Sequence, residues 1–340
     1  MNARVAGGFG HGAQNIFLPA PVSGSDAIPR FHDRGAQVDR SGLRSATGSR
    51  EIAPMTPALT LKANDLRRRL ATFAADARHF QIAALASLLA FNFGWLDFGA
   101  RPLNSALAIA SALATQALCS RIAGLPAIDL RSPLITGLSL SLLLRADAPW
   151  LHALAAAIAI GSKFVLRIDG KHVWNPAGFA IVALLLIVPD HVWISPGAWG
   201  TDVWFAALVS FAAFMVLNAA RRGDIALFFL VSHAALLFAR AVWLGDPPAI
   251  PLHQLQSGSL LIFAFFMISD PRTTPDSRLG RLVFALAVAL LAHRLAFFWQ
   301  MRPALYVALI AVSPLTILFD RIFPAARFAW TAPAHEGATR

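Results

Sequence analysis

Between residues 80 and 319 apolar stretches alternate with short polar connections, running approximately 80–98, 103–120, 134–144, 149–166, 176–194, 201–220, 225–244, 258–269, 281–300 and 303–319. A spanning helix needs about 20 apolar residues. Two of the stretches fall well short: Leu134–Leu144, and Leu260–Ser269 with Asp270-Pro271 directly behind it. Each reads as a half-helix or a broken helix. Backbone that leaves the helix inside a bilayer is tolerated only where it lines a cavity or is buried in protein, so interruptions repeated in both halves mark a site near the bilayer midplane. The pattern predicts an all-α polytopic membrane protein of ten transmembrane segments, with short broken helices at the third and eighth positions.

The two halves match in layout. The first and sixth stretches begin about 121 residues apart, and the third and eighth about 124 apart. Five spans per half is an odd number, so the halves enter the membrane from opposite sides and form two inverted five-helix repeats. Composition agrees: 57% of residues are apolar and 14% charged, with a mean hydropathy of +0.59, against roughly 25% charged in a soluble domain. The lone cysteine, Cys119, excludes a disulfide framework, a thiolate metal cluster and a CxxC redox pair.

The net charge of +11 is distributed by topology and forms no stripe interleaved with aromatics, which argues against a nucleic-acid partner. Of the 29 Lys and Arg, six lie in the stretch Arg4–Arg50, and five (Arg101, Arg145, Arg240, Arg294 and Arg302) fall in one set of alternating connections. The remaining 18 fall in the other set. The positive-inside rule therefore places both termini in the cytoplasm, with the chain in a bacterial inner membrane and the bilayer as its first partner. Trp95, Trp150, Trp174, Trp193, Trp199, Trp243 and Trp299 fall near segment ends, as interfacial belt residues do.

Residues 1–60 hold no long apolar run and are rich in Gly, Ser, Pro and Arg, a composition expected to stay disordered. They contain no secretory signal pattern. Met55-Thr56-Pro57 is an alternative start. Residues 61–79, with Leu66, Leu70, Phe73 and Ala77 at helical spacing among Arg67, Arg68, Arg69 and Arg78, suit an amphipathic or juxtamembrane segment. The membrane domain is expected over 80–320 and a cytoplasmic tail over 321–340.

Candidate chemistry gathers in two connections. In the first, Gly161-Ser162-Lys163 leads to Gly170-Lys171-His172-Val173-Trp174-Asn175-Pro176-Ala177-Gly178. Asn before Pro is a helix-start signature, and such a helix N-terminus can offer N–H groups and its positive dipole end to an anion, reinforced here by Lys163 and Lys171. A plain capped helix with positive-inside lysines fits equally. In the second, Ser269-Asp270-Pro271-Arg272-Thr273-Thr274-Pro275 runs to Gly280-Arg281. Asp270 closes an apolar run and must be solvated, paired or used as a cap. Beside Thr136 in the third segment, Gly137, with Gly258 at the start of the eighth, allows close backbone approach at the same centre. The candidate cofactor- or substrate-binding set is therefore Thr136, Gly137, Lys163, Lys171, Asn175, Pro176, Gly258, Asp270, Pro271 and Thr274. No nucleophile elbow, phosphate-binding loop, HExxH pair or metal-ligand set appears. His233 and His293 lie within spans and read as core histidines facing the bundle interior.

The same residues carry a resemblance. Gly161–Lys163 followed by Gly170–Ala177, together with Phe265-Phe266-Met267-Ile268-Ser269-Asp270-Pro271-Arg272-Thr273-Thr274-Pro275 and Gly280-Arg281, resemble the RnfD/NqrB family over roughly residues 62–325. Those proteins are membrane subunits of ion-translocating NADH:ferredoxin and NADH:quinone oxidoreductase complexes. The resemblance implies two inverted five-helix repeats similar to urea and ammonium channels, flavin near the centre, and other membrane electron-transport subunits as partners. It also implies FMN joined through a phosphoester to the Thr of a Ser-Gly-Ala-Thr type motif between the fifth and sixth spans. Here that stretch reads Val188-Pro189-Asp190-His191-Val192-Trp193-Ile194-Ser195-Pro196-Gly197-Ala198-Trp199-Gly200-Thr201, without the tetrapeptide. Covalent FMN is not expected, and any flavin, FMN or riboflavin, would be held non-covalently.

Three functions stay open on these grounds. One is a subunit, not itself catalytic, in membrane electron transfer or coupled ion transport. The second is a channel or transporter for a small polar solute. The third is a membrane scaffold for a cytoplasmic enzyme.

Overall fold

A computed structural model describes residues 76–94, 100–195 and 223–328. The N-terminal extension, the juxtamembrane segment up to residue 75, the sixth expected span at 201–220, the Pro196–Thr201 part of the flavin-attachment stretch and the tail from 329 lie outside the described residues.

The helices of the first half are α1 (Ala77–Gly94), α2 (Pro102–Ile122), α3 (Arg131–Leu143), α4 (Trp150–Val165) and α5 (Pro176–Ile187). Those of the second are α6 (Gly223–Leu244), α7 (Ala249–Leu255), α8 (Gly258–Ile262), α9 (Arg278–Phe297), α10 (Ala304–Val312) and α11 (Thr316–Ile322). Among the described residues, four continuous or nearly continuous stretches are long and apolar enough to cross a membrane: Pro102–Ile122, Gly223–Leu244, Arg278–Phe297 and Ala304–Ile322. The pair Ala249–Leu255 and Gly258–Met267, bent by 51°, would make a fifth, and Trp150–Val165 and Pro176–Ile187 are shorter apolar helices. A mostly helical, membrane-integral chain is the result.

The third segment is short, as its sequence predicts. At 13 residues α3 is about 20 Å long, two thirds of a hydrocarbon core of about 30 Å. It is also the buried axis of the first half: all residues from Thr136 to Leu143 are buried, with α1, α2, α4 and α5 packed around it. The eighth segment is interrupted too. After the five residues of α8, the backbone widens into a π turn, Phe263–Met267, a geometry common at functional sites. α5 packs on both α4 and α10, and so links the halves.

Among the described residues, the chain departs from an all-helical reading at two antiparallel ribbons. β1 (Leu144–Ala146) pairs with β4 (Val192–Ile194), placing Arg145 opposite Trp193, and β2 (Arg167–Ile168) pairs with β3 (Lys171–His172). The fifth apolar stretch, expected over 176–194, is thus a 12-residue helix followed by a turn and a strand. Pro189 has no N–H to continue the helix, and the β-branched Val192 and Ile194 find ladder partners where α3 has run out. Between β2 and β3 the tight turn puts Asp169 at φ 52° and Gly170 at φ 78°.

Gly137 is a packing residue. A Cβ there would sit 2.9 Å from the Ile109 Cα, so α2 and α3 touch backbone to backbone. Gly137→Val should destabilise the protein by about 1–3 kcal/mol, the usual cost of overpacking, read as a lower melting midpoint in detergent. An unchanged midpoint would remove this contact from the account.

Candidate functional site

Two interrupted segments meet at α5. The Asn175 side chain accepts from the Gly178 N–H at 3.0 Å, and Pro176 occupies the first turn, where a missing N–H costs nothing. The Asn175 amide then reaches across the halves, donating to the Met267 carbonyl at 3.5 Å and to Asp270 Oδ2 at 3.4 Å. Asp270 Oδ1 accepts from the Arg272 N–H at 3.0 Å, and the Asp270 carbonyl accepts from Thr274 Oγ1 at 3.0 Å. The N-terminus of α5 and the turn behind the π segment are therefore one unit, assembled from residues 95 apart in sequence.

That unit walls a cavity of about 340 Å³, lined further by α1, α3 and α4, a volume within the usual range of small-molecule sites. Its wall combines Phe265, Phe266, Met267 and Ile135 with Gln116, Ser132, Thr136 and Ser139. Charged groups face it from several sides: Arg78, Lys163, Arg167 and Arg272 against Asp129 and Asp270. Lys163, buried at the end of α4, donates to Ser132 Oγ at 2.8 Å and to Gln116 Oε1 at 3.4 Å. Its hydrogen-bond partners are thus neutral.

Burial pushes the Asp270 carboxyl above the usual carboxylate range, against the opposing pull of Arg272, Lys163 and Asn175. His172 moves the other way: burial, then the charges of Arg167, Lys163 and Arg272, hold its imidazole down at about 3. It is neutral at physiological pH, and its buried Nδ1 has no hydrogen-bond partner.

At the edge of the cavity two Asp-x-Arg sequences interlock. Asp76 accepts from Arg78 Nη2 at 2.6 Å and from Arg131 Nη1 at 2.6 Å, while Asp129 accepts from Arg131 Nε at 2.9 Å and pairs with Arg78. Burial works to raise Asp129, but the hydrogen bonds of Arg131 and the charge of Arg78 outweigh it and hold the carboxyl at about 2. A carboxylate with a depressed folded-state pKa contributes stability above its unfolded value, here 3.8, and loses it as pH falls through the folded one. This clasp between α1 and α3 should therefore persist at pH 5 and weaken between about 4 and 2, a loss that Asp129→Asn should reproduce at neutral pH in a thermal melt.

Of the sequence-derived candidates, Thr136, Lys163, Asn175, Pro176, Asp270 and Pro271 line the cavity. Four do other work. Lys171 pairs with Asp276 at 2.8 Å and Asp320 at 2.6 Å and donates to the Thr274 carbonyl at 3.0 Å, tying the β2–β3 turn to the second half. Gly137 serves the α2–α3 contact, buried Gly258 opens α8, and Thr274 braces the Asp270 turn. Gln116, Ser132, Ser139, Arg78, Asp129 and His172 also face the cavity and lie outside the sequence-derived set. The available signal was polar side chains at helical spacing within apolar stretches, as in Ser132, Thr136 and Ser139.

Interrupted apolar helices converging on a cavity lined by both polar and apolar side chains mark an integral membrane protein. Residues 194–329 match the family described as NQR2, RnfD, RnfE, and this match shows the family resemblance carried by Phe265–Pro275 and Gly280-Arg281. The chain is 27% identical over 288 residues to the D subunit of the ion-translocating oxidoreductase complex of Stutzerimonas stutzeri, covering 64% of this chain and 81% of that one. The protein of the same name from Halorhodospira halophila is 27% identical over 330 residues, covering 75% and 90%. A segment of 55 residues, 16% of each chain, is 47% identical to its namesake in Alcanivorax borkumensis.

Proposed function

We propose that this chain is the D-type membrane component of an ion-translocating oxidoreductase complex, with the cavity beneath Asn175 and Asp270 as its working site. Support comes from the family match together with the cross-half contact of Asn175 with Asp270. In this reading the chain crosses a bacterial inner membrane ten times as two inverted repeats, with both termini cytoplasmic, and other subunits of the complex cover part of it.

The cavity suits a flavin held non-covalently: Phe265 and Phe266 offer apolar surface, and Lys163, Arg167 and the α5 N-terminus offer anion-binding groups. A flavin, when bound, supplies one- and two-electron redox chemistry. The residues of this chain would bind and orient it, Lys163 by charge and Thr136 and Asn175 by hydrogen bonding.

An absorbance spectrum of the detergent-purified chain, co-expressed with a flavin transferase, tests this. The expected result is a flavin spectrum whose chromophore passes into the filtrate on denaturation, with no fluorescent band on a denaturing gel. A fluorescent band lost on changing Thr201 would overturn non-covalent binding. A colourless protein from the assembled complex would overturn the flavin assignment and favour a solute channel or a scaffold.

A further inference from the structure

Helices α6 and α9 pack side by side and run parallel. Asp224 and Arg281 pair near their starts at 2.6 Å, and 16 positions further along each helix the Arg240 guanidinium carbon lies 4.3 Å from the centre of the Phe297 ring. The far ends of the two helices are therefore level. There the Arg294 guanidinium carbon lies 3.6 Å from the centre of the Phe298 ring, four positions after it. The Met301 N–H donates to the Leu295 carbonyl at 3.0 Å, which turns the chain back so that exposed Arg302 follows beside the same helix end. Three of the five cations in the sparser set of connections thus gather in one place.

None of the three is matched by an anion of this chain. Among the described residues, the side chains of Arg240, Arg294 and Arg302 have neither an ion pair nor a hydrogen bond. An aromatic ring covers one face of a guanidinium and leaves its N–H edge free. That edge is the part that meets a phosphate in a bidentate fork. Arg294 and Phe297 are neighbours at i, i+3 on α9, so the two stacked guanidiniums flank a single turn of the helix.

Arg294 also ends an apolar row. Leu282, Leu286 and Leu290 are exposed and precede it at successive i+4 positions, which makes one ridge along the helix. The 12 positions from Leu282 to Arg294 cover about 18 Å, close to one leaflet of a hydrocarbon core about 30 Å thick. Exposed Trp243 and Trp299 lie at the same end, as amphipathic rings do at headgroup level. A soluble anion would use the arginine edges alone, whereas a lipid uses both the edges and the ridge. Three unmatched cations favour a lipid of net negative charge over a zwitterion.

We infer that the shared far end of α6 and α9 is a binding site for an anionic phospholipid. Its phosphate is held by Arg240 and Arg294, with Arg302 adding charge, and one acyl chain lies along Leu282, Leu286 and Leu290.

Titration of the full chain in detergent with dioleoyl phosphatidylglycerol or dioleoyl phosphatidylcholine tests this, read by melting midpoint and by native mass spectrometry of retained lipid. Phosphatidylglycerol should bind roughly ten- to hundred-fold more tightly, the scale of one hydrogen bond to a charged group, and raise the midpoint further. Arg240→Gln combined with Arg294→Gln should abolish the preference, while Arg101→Gln, at an exposed cation of the first half, should leave it intact. Should the double variant fail to fold, the single variants are read in the same way, each with a reduced preference. Equal binding of the two lipids, or a preference that survives the arginine variants, overturns the site. Inorganic phosphate raising the midpoint as far as phosphatidylglycerol would make it a free-anion site and overturn the lipid. A stable dimer indifferent to lipid would give the ridge to a second copy and overturn it too. These readouts do not involve the flavin spectrum, so this site and the proposed function are tested independently.

Discussion

Under the proposed function, Asp270→Asn should leave the chain inserted and folded while lowering ion-coupled electron transfer by the assembled complex roughly ten- to hundred-fold. That range corresponds to losing one contact to a charged group, about 1.5–3 kcal/mol. The substitution keeps the shape of the turn: Oδ1 can still accept from the Arg272 N–H, and the backbone carbonyl can still accept from Thr274. It removes the charge that faces Lys163 across the cavity and replaces an acceptor of the Asn175 amide with a second amide or a second carbonyl. A carboxylate buried at the end of an apolar half-helix is costly unless it serves a bound cation, a cap or a ligand. Activity per folded molecule and melting midpoint must be measured together. Full activity per molecule with a lowered midpoint would make Asp270 a structural cap and withdraw it from the site.

Much of this arrangement is legible in the chain because bilayers restrict the backbone so severely. The shortness of segments three and eight follows from counting apolar residues, and the α3 and α8 bounds agree with it. The Asn175-Pro176 start of α5 is equally local, since capping is decided within four residues. Other features depend on contacts between distant segments and leave no local trace. Val192–Ile194 is as apolar as the helix before it, and only pairing with Leu144–Ala146 makes it a strand. Lys171 looks like an anion ligand beside Asn175, yet Asp276 and Asp320, 105 and 149 positions away, claim it. The two Asp-x-Arg clasps are unremarkable singly and acquire meaning only when α1 lies against α3. Gly137 is legible as a point of close approach, but the approach is that of α2, not of a ligand.

Arg281→Met is expected to cause a larger loss of stability than Gly137→Val or Asp129→Asn. Arg281 lies in the first turn of α9 and grips Asp224 at the start of α6 with Nε at 3.0 Å from both carboxylate oxygens and Nη2 at 2.6 Å from Oδ2. Nη1 donates to the Asp276 carbonyl at 2.6 Å. Both side chains are largely buried, at 10% and 15% exposure, so this is not a solvated surface pair worth at most about 1 kcal/mol. Removing one partner of a buried pair costs about 3–5 kcal/mol, chiefly because the other charge is stranded. Arg278, 79% exposed and 3.7 Å from Asp224, would recover a fraction of that. Arg281→Lys should also destabilise, because an ammonium cannot reproduce the fork that meets both oxygens. Asp224→Leu added to Arg281→Met should restore much of the midpoint, since two apolar groups strand no charge. The effect should extend to the site: Arg281 holds Asp276, Asp276 pairs with Lys171, and Lys171 holds the Thr274 carbonyl in the turn that carries Asp270. Single-variant melts with a loss under about 1 kcal/mol, or a double variant no better than Arg281→Met alone, would show that the pair is screened and that α6 and α9 are held by their apolar packing instead.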